Sequence, residues 1–295
     1  MILNYDQYQN LIYEKLITFD KKVYPKYNNV VVMCGGGGSG KGFVVSNVLG
    51  IDAKVLNVDD IKETLLKFKD DNPLSIKYKK EYGKYLSQVD LRNGDECKDL
   101  HKFVEANALA KKQYNKLFRS EYHKKDKTNL LFDVTLKNYP KLEDISGLCL
   151  IGGYKPENVH LVWVLNNYDT AEKQNKMRDR KVPENILKKT HTGCSDTVKK
   201  LLDKTDSLGI VNGDVWIYFG STLTGDAKLV NSPNGGKYLE DFCVVKVKEA
   251  GKELEDYDEI MKKKVKVYDV NHKEIDETTL KDKINSYIPI ESDRF

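Results

Sequence analysis

The sequence has few of the features that mark membrane, secreted or disulfide-rich proteins. No apolar run approaches the ~20 residues that a membrane-spanning helix needs. The first residues, MILNYDQYQNLIYEKL, mix charges and amides with apolar side chains, so they lack the basic and apolar regions of a signal peptide. Five cysteines lie far apart with no C-x-x-C spacing. We therefore expect a cytoplasmic protein with reduced thiols, no membrane segment, no zinc site and no disulfide framework.

Motifs for histidine-based or serine-based catalysis are also absent. The five histidines form no H-x-x-x-H or H-E-x-x-H spacing, and no G-x-S-x-G motif supplies a serine nucleophile. The net charge of +4, from 49 Lys and Arg against 45 Asp and Glu, is too small to indicate a nucleic-acid-binding protein by itself. Basic residues are instead concentrated in two stretches, 111–127 and 173–189.

The chain does contain a repeating alternation of strand and helix patterns. Short apolar runs predict strands at 30–34, 53–58, 129–134 and 159–165, and helices are predicted around them at 5–19, 42–49, 60–68, 140–150, 170–177 and 184–191. This alternation predicts an α/β fold with a mostly parallel sheet and right-handed crossovers. A lysine-rich helical pattern over about 73–125 predicts a helical insertion.

The pattern changes after about residue 205, where strands, loops and helices follow without the earlier alternation. This change predicts a first domain over residues 1–210 and an α+β C-terminal appendage over 211–295. The segment VWIYF, at 215–219, leaves two options open, because it suits either the appendage or a last strand of the main sheet.

The stretch CGGGGSGKG, residues 34–42, fits the nucleotide-binding pattern G-x-x-x-x-G-K-[ST] up to its last position. Between a buried strand and a helix, consecutive glycines let backbone N–H groups converge on phosphate oxygens. We therefore expect ATP to be bound here, with Lys41 reaching the β- and γ-phosphates. The predicted binding residues are Gly37, Gly38, Ser39, Gly40, Lys41 and Gly42. The alternative is a glycine-rich turn that merely connects strand and helix.

Gly42 stands where the pattern has Ser or Thr, whose hydroxyl ligates Mg²⁺. Without it the ion loses one protein ligand, which water can replace. Asp133, at the end of the third predicted strand, is then the expected magnesium ligand. Nucleotide binding is expected to survive this change more surely than fast turnover.

Three further segments accompany the glycine-rich loop: NVDDIKE (57–63), FDVTLKN (132–138) and QNKMRDRKVPENIL (174–187). In order and spacing, residues 28–195 resemble the P-loop kinases grouped around phage polynucleotide 5′-kinase and the zeta toxins. The resemblance implies a P-loop NTPase-type parallel sheet flanked by helices, dependence on ATP and Mg²⁺, and a basic lid at about 174–190.

The same resemblance implies roles for individual residues. Asp59 would be the general base that takes the proton from the acceptor hydroxyl, and Asp133 would be the magnesium-side carboxylate. Lys62 stands where relatives have an acceptor-gripping arginine, and it lacks the bidentate geometry of that arginine. Thr135 would contact the substrate. The lid would supply Arg178 and Arg180, with Lys181 beside them, to stabilise the transferred phosphoryl group.

Each role has a structural alternative. Asp59 suits the N-cap of a helix starting at Ile61, although Asp60 could serve there instead. Thr135 suits an ordinary turn, and the charged stretch at 178–181 suits a solvated surface.

The sequence favours a nucleic-acid or nucleotide hydroxyl as the acceptor, since basic and aromatic residues alternate over 111–127. On a helix, however, the aromatic residues Tyr114 and Phe118 would face the core. Two other hypotheses stay open: a small-molecule acceptor such as a sugar nucleotide, and a nucleotide-binding interaction module with little catalysis that contacts a protein partner through residues 211–295. The Asn-, Lys- and Tyr-rich composition is typical of an AT-rich phage or bacterial genome.

Overall fold

The computed structural model describes residues 2–3, 18–19, 22–23, 27–47, 49, 51–177, 182–203, 211–220, 230–231, 237–238, 242–268, 274–290, 292 and 294–295. The helix predicted at 5–19 lies outside these residues except for its last two positions, which form a short strand.

The described strands are numbered in chain order. They are β1 (Ile2–Leu3), β2 (Thr18–Phe19), β3 (Lys22–Val23), β4 (Val30–Cys34), β5 (Lys54–Leu56), β6 (Leu130–Val134), β7 (Val159–Asn166), β8 (Val215–Gly220), β9 (Val230–Asn231), β10 (Lys237–Tyr238), β11 (Phe242–Lys248), β12 (Lys264–Tyr268) and β13 (Glu274–Thr279).

The described α-helices are numbered in the same way. They are α1 (Lys41–Asn47), α2 (Val58–Leu66), α3 (Pro73–Tyr82), α4 (Gly94–Ala106), α5 (Leu109–Glu121), α6 (Tyr139–Ile151), α7 (Tyr168–Met177), α8 (Glu184–Asp203), α9 (Tyr257–Lys262) and α10 (Leu280–Tyr287). Short 3₁₀ helices span Leu86–Gln88 and Pro156–Asn158. None of the helices that the structure describes is long and apolar enough to cross a membrane.

Seven strands form the main sheet in the order β1-β11-β8-β7-β4-β6-β5. The five strands from β8 to β5 are parallel, while β11 and β1 pair antiparallel at the other side. All residues of β4 and β7 are buried, and all except His160 and Asn166 of β7 are apolar, as is typical of central strands of a parallel sheet that is covered on both faces. The predicted α/β class with a mostly parallel sheet flanked by helices is therefore confirmed.

The two faces of the sheet carry two apolar cores. Val30 and Val32 of β4 belong to the larger core, and Val31 and Met33 belong to the smaller one, because successive side chains of a strand point to opposite faces. The larger core takes in the helices α3, α4 and α5, which lie between α2 and β6 in the region where a helical insertion was predicted.

The C-terminal region is continuous with this architecture. β8 pairs with β7 in parallel, so VWIYF is a strand of the main sheet. Ile260, Leu280 and Ile284 belong to the same core as β4. The strands β8 and β11, which follow the boundary predicted near residue 210, thus belong to the main sheet.

Candidate functional site

The glycine-rich loop connects the carboxyl end of β4 to the N-terminus of α1. Gly38 and Gly40 have φ angles of 71° and 91°, in the left-handed region that glycine adopts without a steric cost. The Ser39 amide donates to the Gly36 carbonyl at 3.3 Å, which closes the turn. The loop therefore forms a tight turn at the carboxyl end of β4.

Lys41 lies across the mouth of this loop. Its ammonium group donates to the carbonyl oxygens of Gly35 at 2.8 Å and Gly36 at 3.2 Å. An ammonium group has three N–H donors, so one remains for a phosphate oxygen. The two carbonyls fix the position of the positive charge before any ligand arrives.

Several backbone amides of the loop are available to an anion. Within the described part of the chain, the N–H groups of Gly38, Gly40, Lys41 and Gly42 have no hydrogen-bond acceptor. Ser39 differs, because its amide is used inside the turn and its hydroxyl is buried without a hydrogen-bond partner among the described residues. Converging unpaired amides at a helix start are the donors that a phosphate group needs.

Asp133 lies beside the base of the loop. In the sheet register it pairs with Met33 of β4, one residue before the loop begins at Cys34. Its Oδ2 accepts a hydrogen bond from Asn57 Nδ2 at 3.0 Å. Asp133 thus lies on the strand next to β4, close to the glycine-rich loop, and its carboxylate accepts a hydrogen bond from an amide that follows the end of β5.

Asn57 is a site residue that the sequence analysis did not assign. It follows β5 and is the N-cap of α2, with its Oδ1 accepting from the Asp59 amide at 2.8 Å. α2 therefore begins at Val58, and Asn57 takes the capping role considered for Asp59 and Asp60. An Asn just before an acidic first turn is a known N-cap signal, so the sequence could have indicated it.

Asp59 lies in the first turn of α2 and forms an ion pair with Lys62. The Lys62 Nζ is 3.0 Å from Asp59 Oδ1, and the side chain of Lys62 is only 6% exposed while that of Asp59 is 36% exposed. Lys62 is therefore a buried ion-pair partner of Asp59.

Carboxylates in and near α2 help to raise the pKa values of two neighbouring side chains. Burial, followed by the charges of Glu63 and Asp59, raises the pKa of Asp60 above its ordinary value. Burial and the charges of Asp60, Asp133 and Asp59 raise the pKa of Tyr114 to about 12. Tyr114 therefore stays neutral beside a negatively charged region.

His101 of α4 borders the same region. Burial, and then the positive charge of Lys62, lowers its pKa from the ordinary value, while Glu105 opposes that shift. Its Nε2 lies 3.1 Å from Glu105 Oε1. The helical insertion thus brings a titratable side chain towards Asp59.

The remaining predicted site residues divide into two groups. Thr135 is half-buried directly after β6, and the following residue, Leu136, has a φ of 50°, which is unusual for a bulky side chain. Arg178, Arg180 and Lys181 lie outside the described residues, between α7 and α8.

The aromatic residues of the basic stretch 111–127 are mostly buried. Tyr114 is 6% exposed and Phe118 is 0% exposed, so both belong to the core and are not available to stack on bases. Tyr122 is 57% exposed. The expectation that the lysine-rich helix would turn its aromatic side chains inward is met for these two residues.

No protein-family model and no curated protein matches the sequence. Similar solved structures include a chain of the PezAT chromosomal toxin–antitoxin system of Streptococcus pneumoniae, with 16% identity, a TM-score of 0.40, and coverage of 70% of this chain and 79% of that one. A chain of the AvrRxo1-ORF1:-ORF2 complex with ATP is 13% identical, with a TM-score of 0.40, and the match covers 79% of the present chain and 62% of the AvrRxo1 complex chain. Similarity at this level says nothing about what the present chain binds.

Proposed function

We propose that the chain is an ATP-dependent kinase that transfers the γ-phosphate of ATP to a hydroxyl group. The observation that carries this proposal is the Lys41 ammonium group held on the Gly35 and Gly36 carbonyls, above unpaired loop amides. Asp59 follows β5 and Asp133 is the second-last residue of the neighbouring strand β6, and Asn57 contacts both residues. In α/β sheets, ligands bind outside the carboxyl ends of the strands.

The residues divide the chemistry between them. The loop amides and Lys41 bind the phosphates and offset the negative charge that spreads over the transferred group. Asp59 accepts the proton of the acceptor hydroxyl as that oxygen attacks the γ-phosphorus. Lys62 orients the Asp59 carboxylate through the bond at Oδ1. Arg178 and Arg180 are proposed to contact the phosphoryl group from the lid.

The side chains present fit a magnesium ion that is held mainly by the nucleotide. Mg²⁺ in kinase sites is bound through one or two carboxylates together with phosphates and water. Asp133 supplies one such carboxylate, and no cluster of three metal-ligating side chains occurs among the residues that the structure describes. When bound, Mg²⁺ would neutralise phosphate charge, with Asp133 as its protein ligand.

The proposal is tested by incubating the chain with γ-labelled ATP and Mg²⁺ and with separate pools of oligonucleotides, nucleosides and sugar nucleotides. Asp59→Asn should abolish label transfer while retaining ATP binding in calorimetry. The matched control is Asp60→Asn, which removes the adjacent exposed carboxylate.

Lys41→Ala tests the binding site for the phosphates and should abolish ATP binding in calorimetry. ATP binding by Lys41→Ala as tight as in the wild type would contradict the phosphate-loop assignment.

The acceptor class is decided by the pool that takes the label. We propose a nucleic-acid or nucleotide hydroxyl, supported by the basic residues of 111–127. The burial of Tyr114 and Phe118 favours the second candidate, a small molecule such as a sugar nucleotide, because it removes two side chains that could stack on a strand. Label in sugar nucleotides alone would select that candidate.

A third candidate is a nucleotide-binding interaction module with little catalysis, in which residues 211–295 contact a protein partner. Gly42 supports it, since no hydroxyl stands beside Lys41. ATP binding by the wild type without label transfer to any pool would favour this candidate.

A further inference from the structure

Both polar backbone groups of one loop residue are held by α8. The Gly37 amide donates to Thr190 Oγ1 at 3.1 Å, and the Gly37 carbonyl lies 2.7 Å from His191 Nε2. Thr190 and His191 are 9% and 5% exposed. Contacts across more than 150 residues therefore fix the orientation of the two peptide groups on either side of the Gly37 Cα atom.

The protonation of His191 is set by its surroundings. Burial, together with the positive charge of nearby Lys41, lowers its pKa to about 4 against the opposing effect of the hydrogen bond to Gly37. The ring is therefore neutral near pH 7. Because a carbonyl oxygen only accepts, the proton must reside on Nε2. The ring edge of Tyr168 packs against His191 with the centroids 5.3 Å apart.

The packing of α7 and α8 also explains why the loop contains more glycines than the nucleotide-binding pattern requires. A Cβ on Gly36 would lie 2.2 Å from the His191 ring, and a Cβ on Gly38 would lie 2.5 Å from the Ala171 carbonyl oxygen. The pattern itself demands glycine only at its first and sixth positions. The other glycines allow two helices to press directly on the loop backbone.

We propose that His191 and Thr190 are positioning residues of the phosphate loop. Thr190 holds the peptide group before Gly37 and His191 holds the one after it, which carries the Gly38 amide, so together they direct the unpaired amides that follow towards the phosphates. They leave those amides free, since neither side chain bonds to Gly38, Gly40, Lys41 or Gly42. The inference rests on the proposed ATP binding, and it assigns α8 a role in the phosphate site beyond bordering the RDRK segment.

The test uses two isosteric threonine variants of the same helix. Thr190→Val removes the acceptor for the Gly37 amide. Thr197→Val is the matched control, because the Thr197 hydroxyl is also buried and bonds only to the Gly193 carbonyl of α8, at 2.8 Å. Thr190→Val should weaken ATP binding in calorimetry on the order of ten-fold, and Thr197→Val should leave it unchanged.

His191 is tested by a donor-retaining and a donor-lacking substitution. His191→Leu should weaken ATP binding at least as much as Thr190→Val, and His191→Gln, whose amide can donate to the Gly37 carbonyl, should recover part of the loss. Amide hydrogen exchange on the ATP-free protein should show faster exchange at residues 36–40 in Thr190→Val and His191→Leu, but not in Thr197→Val. If these side chains had a purely structural role, Thr190→Val, His191→Leu and Thr197→Val would all lower thermal stability, and amide exchange at residues 36–40 would not differ among them.

The outcomes separate the inference from the proposed function. Wild-type affinity for ATP in Thr190→Val and His191→Leu, with unchanged exchange in the loop, overturns the positioning role and leaves the kinase proposal intact. No ATP binding by the wild type overturns both. Should His191→Leu fail to fold, Thr190→Val against Thr197→Val decides the question.

Discussion

At the scale of single residues, Asn57 connects the carboxylate of Asp133 to the backbone of Asp59. Its Oδ1 caps α2 at the Asp59 amide, and its Nδ2 bonds to Asp133. The sequence predicted the two acidic residues, since each follows an apolar strand pattern. It could not predict their connection, because the bond from Asn57 to Asp133 depends on the register that places Leu56 opposite Phe132.

Replacing Asn57 should separate capping from catalysis. Asn57→Ala removes the cap and the bond to Asp133, so we expect a loss of about 1 kcal/mol in the free energy of unfolding and roughly a ten-fold loss in kcat/KM for phosphoryl transfer. Asn72→Ala is the control, because Asn72 caps α3 through the Leu74 amide. Chemical denaturation and label transfer measure the two effects. Equal kcat/KM in both variants would show that Asn57 acts only as a cap.

Gly42 allows the missing hydroxyl to be restored. A Cβ at Gly42 would meet no atom within 4 Å, and its φ lies outside the left-handed region, so serine fits without strain. Gly42→Ser should tighten Mg·ATP binding a few-fold, since the hydroxyl can join the ion's ligands. Calorimetry with EDTA in place of Mg²⁺ should give the same ATP affinity for Gly42→Ser and the wild type. A gain that persists in EDTA would contradict the metal-ligand explanation.

At the scale of elements, α8 shows where the sequence analysis fell short. The helix predicted at 184–191 continues to Asp203, and its buried side chains include Leu187, Cys194, Val198 and Leu201. The spacing of these apolar residues in the sequence is that of one helix face, so the full length of α8 was predictable. Its contact with the glycine-rich loop was not, because polar partners more than 150 residues apart leave no local pattern.

Two glycines within helices should respond in opposite ways to alanine. A Cβ on Gly193 of α8 would lie 2.2 Å from the Lys137 carbonyl oxygen, in the loop after β6, whereas a Cβ on Gly147 of α6 would meet nothing within 4 Å. Gly147→Ala should raise the free energy of unfolding by up to about 1 kcal/mol through helix propensity. Gly193→Ala should lower it by about 1–3 kcal/mol, since backbone must shift. Denaturant unfolding checks the signs. Stabilisation by both substitutions would contradict the close packing of α8 on that loop.

At the scale of the whole molecule, the sheet extends further along the chain than local patterns predicted. The four parallel strands before residue 210 were predicted from short apolar runs, and each is present. β11 pairs antiparallel with β8, and Phe295 stacks on Trp163 of β7 with the ring centroids 5.6 Å apart. These pairings join distant segments through register and packing, which the local sequence pattern after residue 205 does not indicate.

The amino-terminal end of β7 carries a buried histidine, His160, whose protonation makes the free energy of unfolding depend on pH. His160 Nδ1 accepts a hydrogen bond from the Asp214 amide at 3.0 Å, and Nε2 lies 3.2 Å from Asn29 Oδ1. Burial lowers its pKa to about 4, with Asp214 opposing this shift and Lys246 and Lys248 adding to it. A proton on Nδ1 would displace the bond from the Asp214 amide, so the folded state keeps the ring neutral.

This linkage predicts a loss of stability on acidification. In the unfolded chain a histidine binds a proton below about pH 6.5, whereas in the folded chain His160 does so only near pH 4. Between these values the unfolded state holds more protons, so the free energy of unfolding falls as pH falls, by about 2 kcal/mol at pH 5 for this group.

His160→Gln should be less stable at pH 7.5 but lose less stability between pH 7.5 and 5 than the wild type. His123→Gln, at an exposed position, is the control for removal of an imidazole. Urea unfolding at both pH values measures the difference, and an equal loss in His160→Gln and the wild type would show that His160 does not carry it.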